Sequence, residues 1–236
     1  MDKRYKIIDL SHELFPDMPS YPGLPSFKIE NLKNSIRNGS TINLITSMHT
    51  HLGTHIDFPL HIIPNSKSLD DYTLEDLSGD GIVIDLTYKN EAEEITREDL
   101  EKYNDYINDK DILFIFTGWS KKRNNTPEYI FRWPYIGESA VNYLIKKNIK
   151  IIGIDTLSIG GYSKKVDDKY PLPKIPSRKI HEMLFNAGIL IVEEVANLDK
   201  VLIDKKFVRG FFIIAPLKIK GIEASPCKVI FIALDS

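Results

Sequence analysis

Four of the six histidines of this 236-residue chain fall within thirteen positions, in the run His49-Thr50-His51-Leu52-Gly53-Thr54-His55-Ile56-Asp57-Phe58-Pro59-Leu60-His61. Imidazole nitrogens and carboxylate oxygens are preferred ligands of zinc, manganese and ferrous iron, so His51, His55, Asp57 and His61 are candidates for a metal centre. All four positions are odd, and residues of one parity share a face of an extended segment. The lead-in Ile42-Asn43-Leu44-Ile45-Thr46-Ser47 is β-branched and apolar, as a strand would be. Pro59 argues against a regular helix through the run, and Gly53 predicts a bulge or a close backbone approach. Structural zinc sites close with four protein ligands and often use cysteine. The single cysteine, Cys227, lies far away in sequence, so the pattern favours a reactive site over a structural one.

Such a cluster needs a frame. Runs rich in Ile, Val, Leu and Phe predict strands over Lys6 to Leu10, Ile82 to Leu86, Ile112 to Thr117, Ile151 to Asp155, Ile189 to Val195, Gly210 to Ile219 and Lys228 to Leu234. Helices are fewer. Thr96-Arg97-Glu98-Asp99 reads as a cap opening a helix to about Asn104. Ala140, Val141, Leu144 and Ile145 recur at helical spacing within Glu138 to Asn148. Ser177 is a candidate cap for a third helix, with Gly188 ending it. No repeat or linker divides the chain, and Tyr170-Pro171-Leu172-Pro173-Lys174-Ile175-Pro176 is long enough only for a loop. The expected fold class is one mixed α/β domain over residues 1–236, with β-sheet in excess.

Composition narrows the function. A formal net charge of −2 gives no electrostatic case for nucleic acid or an anionic membrane. The longest apolar runs, such as Phe211 to Leu217, fall far short of the roughly 20 residues of a membrane helix. The stretch after Met1-Asp2-Lys3-Arg4-Tyr5 is too short for a convincing signal peptide. A lone cysteine excludes an internal disulfide and fits a reducing cytoplasm, and Cys227 reads as a buried structural thiol.

A second acidic or imidazole group must complete any site that holds two ions. His181 and Glu193 are the candidates. A carboxylate interrupting an apolar strand is costly unless paired or bound to metal. Glu194, of opposite parity, is as good an inward residue, and periodicity does not choose between the two glutamates.

The chain resembles the metal-dependent cyclase family that includes bacterial kynurenine formamidases. The signature His-x-Gly-Thr-His-x-Asp-x-Pro-x-His is matched at every fixed position by residues 51–61. Shorter matches follow in order: Ile8-Asp9-Leu10-Ser11-His12, Met18-Pro19-Ser20-Tyr21-Pro22-Gly23, Phe116-Thr117-Gly118-Trp119 and Gly153-Ile154-Asp155-Thr156-Leu157-Ser158, then His181 and Glu193 twelve residues apart. The resemblance implies a swivelling β/β/α fold with mixed, strand-rich sheet, and a site of two divalent metal ions, zinc first, with manganese or iron as alternatives. His51 and His55 would hold one ion, Asp57 and Glu193 would bridge, His181 would complete the second, and His61 would be the general acid–base. Asp155 and Ser158 would support the site or face the substrate. The implied reaction is hydrolysis of an amide-type bond in a small aromatic molecule, such as N-formylkynurenine or a cyclic amide such as isatin, by a homodimer or homotetramer. Kynurenine formamidases typically carry tryptophan where this chain has Tyr21, which offers a smaller face and a hydroxyl to a substrate ring. A metal-dependent lyase or cyclase is the competing enzyme class, and a non-catalytic metal-binding protein the third reading.

Overall fold

The computed structural model describes residues 5–31, 42–165 and 172–234; residues 1–4 of the amino-terminal stretch and Tyr170 and Pro171 of the proline-rich loop lie outside them. In chain order the strands are β1 (Tyr5–Asp9), β2 (Lys28–Asn31), β3 (Asn43–Ser47), β4 (His55–Asp57), β5 (Ser78–Asp85), β6 (Glu94–Ile95), β7 (Ile112–Phe116), β8 (Tyr135–Ile136), β9 (Ile151–Ile154), β10 (Leu190–Glu193), β11 (Phe207–Pro216) and β12 (Ala224–Leu234). The helices are α1 (Arg97–Glu101), α2 (Pro127–Phe131), α3 (Glu138–Lys146), α4 (Ser177–Asn186) and α5 (Leu198–Leu202).

The main sheet has the order β1-β12-β11-β5-β7-β9-β10-β4, and β4 also pairs with β12. That last pairing closes seven strands into a barrel and leaves β1 outside the ring. Strands β5, β7, β9 and β10 are parallel; the remaining pairings of this sheet are antiparallel. The fold is therefore mixed α/β and strand-rich, in line with the sequence reading.

Alternate residues of the parallel strands part into two apolar layers, as the twofold repeat of a strand requires. Val83, Phe114, Ile151 and Val192 join the inner layer, whereas Ile84, Ile115, Ile152 and Ile191 join the outer. Helices α1, α3 and α4 cover the outer face through Leu100, Val141, Leu144, Ile180 and Leu184. Inside, Phe114 lies over Gly153, its register partner, where an added Cβ would stand 2.5 Å from the ring. Phe212 meets Phe114 at a tilt, 4.7 Å between centroids, and Phe231 edge-on at 4.9 Å, bridging the parallel and antiparallel sides.

Local signals act mostly as read. Thr96 opens α1 with a capping box completed by Asp99, and Gly188 follows α4 at φ +78°. Ser177 is not the cap of α4: Pro176 occupies that position and Ser177 is the first helical residue. Strand β12 starts four residues before the expected Lys228, which places buried Cys227 inside it and pushes its thiol pKa up. Among the described residues, no helix is long and apolar enough to cross a membrane.

Phe114→Ala should destabilise the barrel by about 3–5 kcal/mol, the usual cost of emptying a buried aromatic site. Denaturant unfolding of the purified protein measures this, and a loss below about 1 kcal/mol would mean that the interior collapses around the gap.

Candidate metal centre

The histidine run is built from three different backbone states. His51 lies in a turn, His55 and Asp57 lie in β4, and His61 ends a single 3-10 turn, Pro59–His61, with Pro59 at its first position. One shared strand face therefore accounts for His55 and Asp57 only. Gly53 permits the turn into β4: its φ is +58°, and an added Cβ would stand 2.5 Å from Leu14 Cδ2.

Strand β4 has three residues and two neighbours. On one side Asp57 pairs with Ile191 and His55 with Glu193 of β10; on the other they pair with Ala224 and Pro226 of β12. Ile56 and Val192 join the inner layer. His55, Asp57 and Glu193 therefore project outward, to the layer where α4 supplies His181. All four are buried, with Asp57 at 0% exposure.

The two glutamates left open by periodicity go to opposite sides. Glu193 accepts hydrogen bonds from Ile159 N at 2.7 Å and Ser158 Oγ at 3.0 Å, and meets His181 Nε2 at 3.1 Å and His55 Nε2 at 3.4 Å. Glu194, at φ +50°, turns away and is buried against Arg123 Nε at 3.2 Å and Tyr129 OH at 3.0 Å. Burial raises the Glu194 carboxyl pKa, and Arg123 offsets that only in part.

Main-chain carbonyls orient two of the imidazoles. His55 Nδ1 lies 2.7 Å from Gly53 O and His181 Nδ1 lies 2.9 Å from Ser177 O. With Nδ1 protonated, each ring turns the Nε2 lone pair towards the carboxylates. His51 Nδ1 stands 2.9 Å from Asp57 Oδ1. The His61 ring centroid is 4.3 Å from that of His51 and 5.7 Å from that of His181. One donor atom each from His51, Asp57 and His61 lie within 4.8 Å of one another, and so do donors from His55, Asp57 and Glu193. His51 and His55, paired in the sequence expectation, also stand together, with ring centroids 5.2 Å apart and both rings at Asp57 Oδ1.

The donor set fits a divalent cation. His55 Nε2 and Asp57 Oδ2 are buried without a hydrogen-bond partner, and Asp57 Oδ1 faces the imidazole of His51, a state that costs free energy unless another group satisfies the unpaired atoms. Electrostatics point the same way. Burial opposes charge on both carboxylates, yet the neighbouring imidazoles hold Asp57 below, and Glu193 well below, the usual carboxylate range. Burial also opposes charge on His51, but Asp57 and Glu223 lift it to about 10. His61 goes the other way, pushed down to about 4 by burial and, against the pull of Asp57, by the charges of His51 and His181. The carboxylates demand positive charge, which protons on the imidazoles supply when no cation does.

The cluster forms the floor of a cavity of about 680 Å³ whose lining includes Tyr21, His49, Leu157, Arg178 and Glu223. Tyr21 is half-buried at the edge of an aromatic cluster, 6.1 Å from Trp133 and 6.2 Å from Tyr162, which do not themselves line the cavity. Asp155 takes no place in the lining: it is buried and accepts hydrogen bonds from Thr117 and Ser120, tying β9 to the loop after β7. Trp119 is a buried core aromatic beside Tyr129. His49, outside the signature, contacts Ser20 Oγ at 3.0 Å. Sequence reasoning missed Glu223, whose Oε1 lies 3.3 Å from His51 Nε2. It sits between two strands at no ligand-like spacing, and only the β4–β12 pairing brings it to the site.

Comparison with known proteins agrees with this geometry. Residues 8–160 match the family model Cyclase, described as "Putative cyclase". An uncharacterised protein of Methanocaldococcus jannaschii is 32% identical over 232 residues, covering 96% of this chain and 99% of its own. A kynurenine formamidase of Bacillus anthracis is 29% identical over 228 residues, 97% of this chain and 98% of its own. Among solved structures, isatin hydrolase A from Labrenzia aggregata bound to benzyl benzoate superposes with a TM-score of 0.80 at 27% identity, covering 98% of this chain and 94% of that one.

Asp57→Ala should abolish metal uptake, because both donor groups lose their common carboxylate; metal analysis after dialysis against zinc checks it. Wild-type uptake at pH 7 should release protons, since His51 must give up the proton held by a pKa near 10. Calorimetric titration in two buffers of different ionisation enthalpy counts those protons, and affinity should fall as the pH is lowered.

Proposed function

The chain belongs to the cyclase family, and on that footing we propose that it is a metal-dependent hydrolase of an amide-type C–N bond in a small aromatic molecule. One observation carries the reading: buried Asp57 has His51 and His55 at one carboxylate oxygen and His181 at the other, at the floor of a cavity that Tyr21 helps to line. A shared carboxylate favours two ions, held by His51, His55, Asp57, His181 and Glu193, with zinc first and manganese or iron as alternatives. When bound, such ions polarise a carbonyl and lower the pKa of water to about 7.

The chain's own groups supply the remainder. His61 lines the cavity with its ring centroid 4.3 Å from that of His51 and 5.7 Å from that of His181. It takes the proton of the attacking water and returns it to the departing nitrogen, as one imidazole can serve as base and then acid. Tyr21 offers a ring face at the cavity wall for an aromatic substrate, and Trp133 and Tyr162 pack beside it. Burial raises the Tyr21 pKa, so its hydroxyl stays a donor. An N-formyl arylamine such as N-formylkynurenine is the first candidate substrate and a cyclic amide such as isatin the second; the names of the Bacillus and Labrenzia relatives support one each. The working form is proposed to be a homodimer or homotetramer, supported by Ile29, Leu44 and Ile45, which stand exposed on the separate β2–β3 sheet.

Metal content and hydrolysis of both candidates, followed in one preparation, test the proposal. Bound metal with formate release from N-formylkynurenine, or ring opening of isatin, is the expected result. In ¹⁸O-labelled water the product acid should carry solvent oxygen; its absence would favour a lyase. His61→Ala should keep its metal and lose turnover by about 100- to 10,000-fold, the range for a general acid–base. Normal turnover in that variant would refute the assignment of His61.

A further inference from the structure

We propose that Glu223 is a positioning residue for His51, an inference that rests on the metal-site reading above. His51 presents its two ring nitrogens to different carboxylates. Nδ1 lies 2.9 Å from Asp57 Oδ1, and Nε2 lies 3.3 Å from Glu223 Oε1. A ligating imidazole uses one nitrogen for metal, while its other N–H donates to a partner that fixes the tautomer and the ring plane. Nδ1 faces the shared carboxylate of the donor groups, so Nε2 carries the proton and donates it to Glu223.

Glu223 is itself held. Its Oε1 accepts a hydrogen bond from Thr50 Oγ1 at 2.6 Å, and its main-chain carbonyl accepts one from Phe58 N at 2.9 Å. The next residue, Ala224, pairs with Asp57. The strand pairing that places Asp57 therefore also places the carboxylate that orients His51. His55 and His181 are oriented by main-chain carbonyls, whereas His51 sits in a turn and relies on a side chain. A carboxylate partner also makes the imidazole a stronger donor to metal than a neutral carbonyl does. Glu223 leaves about a third of its side chain exposed, so its removal opens no hole in the core.

Zinc affinity separates this role from a structural one. Metal-free wild type, Glu223→Ala, Glu223→Gln and Thr50→Val are titrated with zinc against a chromophoric chelator, and circular dichroism confirms that each is folded beforehand. Glu223→Ala should bind zinc roughly 10- to 100-fold more weakly. Glu223→Gln, which keeps an accepting oxygen without the charge, should fall between it and wild type, and Thr50→Val should show a smaller loss. The visible absorption of the cobalt(II) form, which follows ligand geometry, should shift in Glu223→Gln. If Glu223→Ala is unfolded, Glu223→Gln carries the test alone. Wild-type zinc affinity and an unchanged cobalt spectrum in the folded Glu223 variants overturn the proposal. A wild-type chain that takes up no zinc refutes the metal-site reading and the role of Glu223 with it, an outcome distinct from a variant-specific result.

Discussion

Two carboxylates buried side by side set the terms for the rest of the molecule. Asp57 and Glu193 come from adjacent antiparallel strands, and both are buried. Isolated anions in that position are untenable without nearby positive charge. His51, His55 and His181 are aimed at them for that reason. Two of these rings are locked by backbone carbonyls, so that their lone pairs cannot turn elsewhere. The barrel contributes rigidity: β4 is clamped on both edges, and its alternation keeps Ile56 in the interior while its flanking residues face the helices.

Much of the frame was legible in the sequence because the physics there is local. The apolar runs of β5, β7, β9 and β10 read as strands, and the capping box at Thr96 and the glycine after α4 mark helix ends by chemistry within one turn of chain. The histidine run was legible as a site for a reason that applies only in part. Parity holds across β4, but His51 and His61 reach the cluster through a turn and a 3-10 helix. Glu223 and Arg123 were not legible, since their partners, His51 and Glu194, lie on distant segments that only the closed sheet brings near.

Consecutive glutamates at the end of β10 show how one backbone torsion divides two tasks. Glu193 keeps the strand's alternation and faces the donor cluster; Glu194 leaves the strand at positive φ and enters a buried ion pair with Arg123. Arg123 belongs to the segment between β7 and α2, which also carries Trp119 of the aromatic core, and Tyr129 of that core follows in α2. The metal-facing side and the aromatic side of the molecule thus share one peptide unit. Glu194 O also accepts a hydrogen bond from Thr54 Oγ1 at 2.6 Å, which returns the chain to the residue beside His55.

The double pairing of β4 also orders events in time. Its three residues are made before both neighbours: β10 follows more than a hundred residues later, and β12 later still. Contacts of such high sequence separation form late and slowly. A nascent chain that has not yet released Glu223 and β12 from the ribosome lacks one edge of β4 and the carboxylate beside His51. A chain truncated before β12 would keep all five proposed ligands yet lack the strand that pairs with His55 and Asp57.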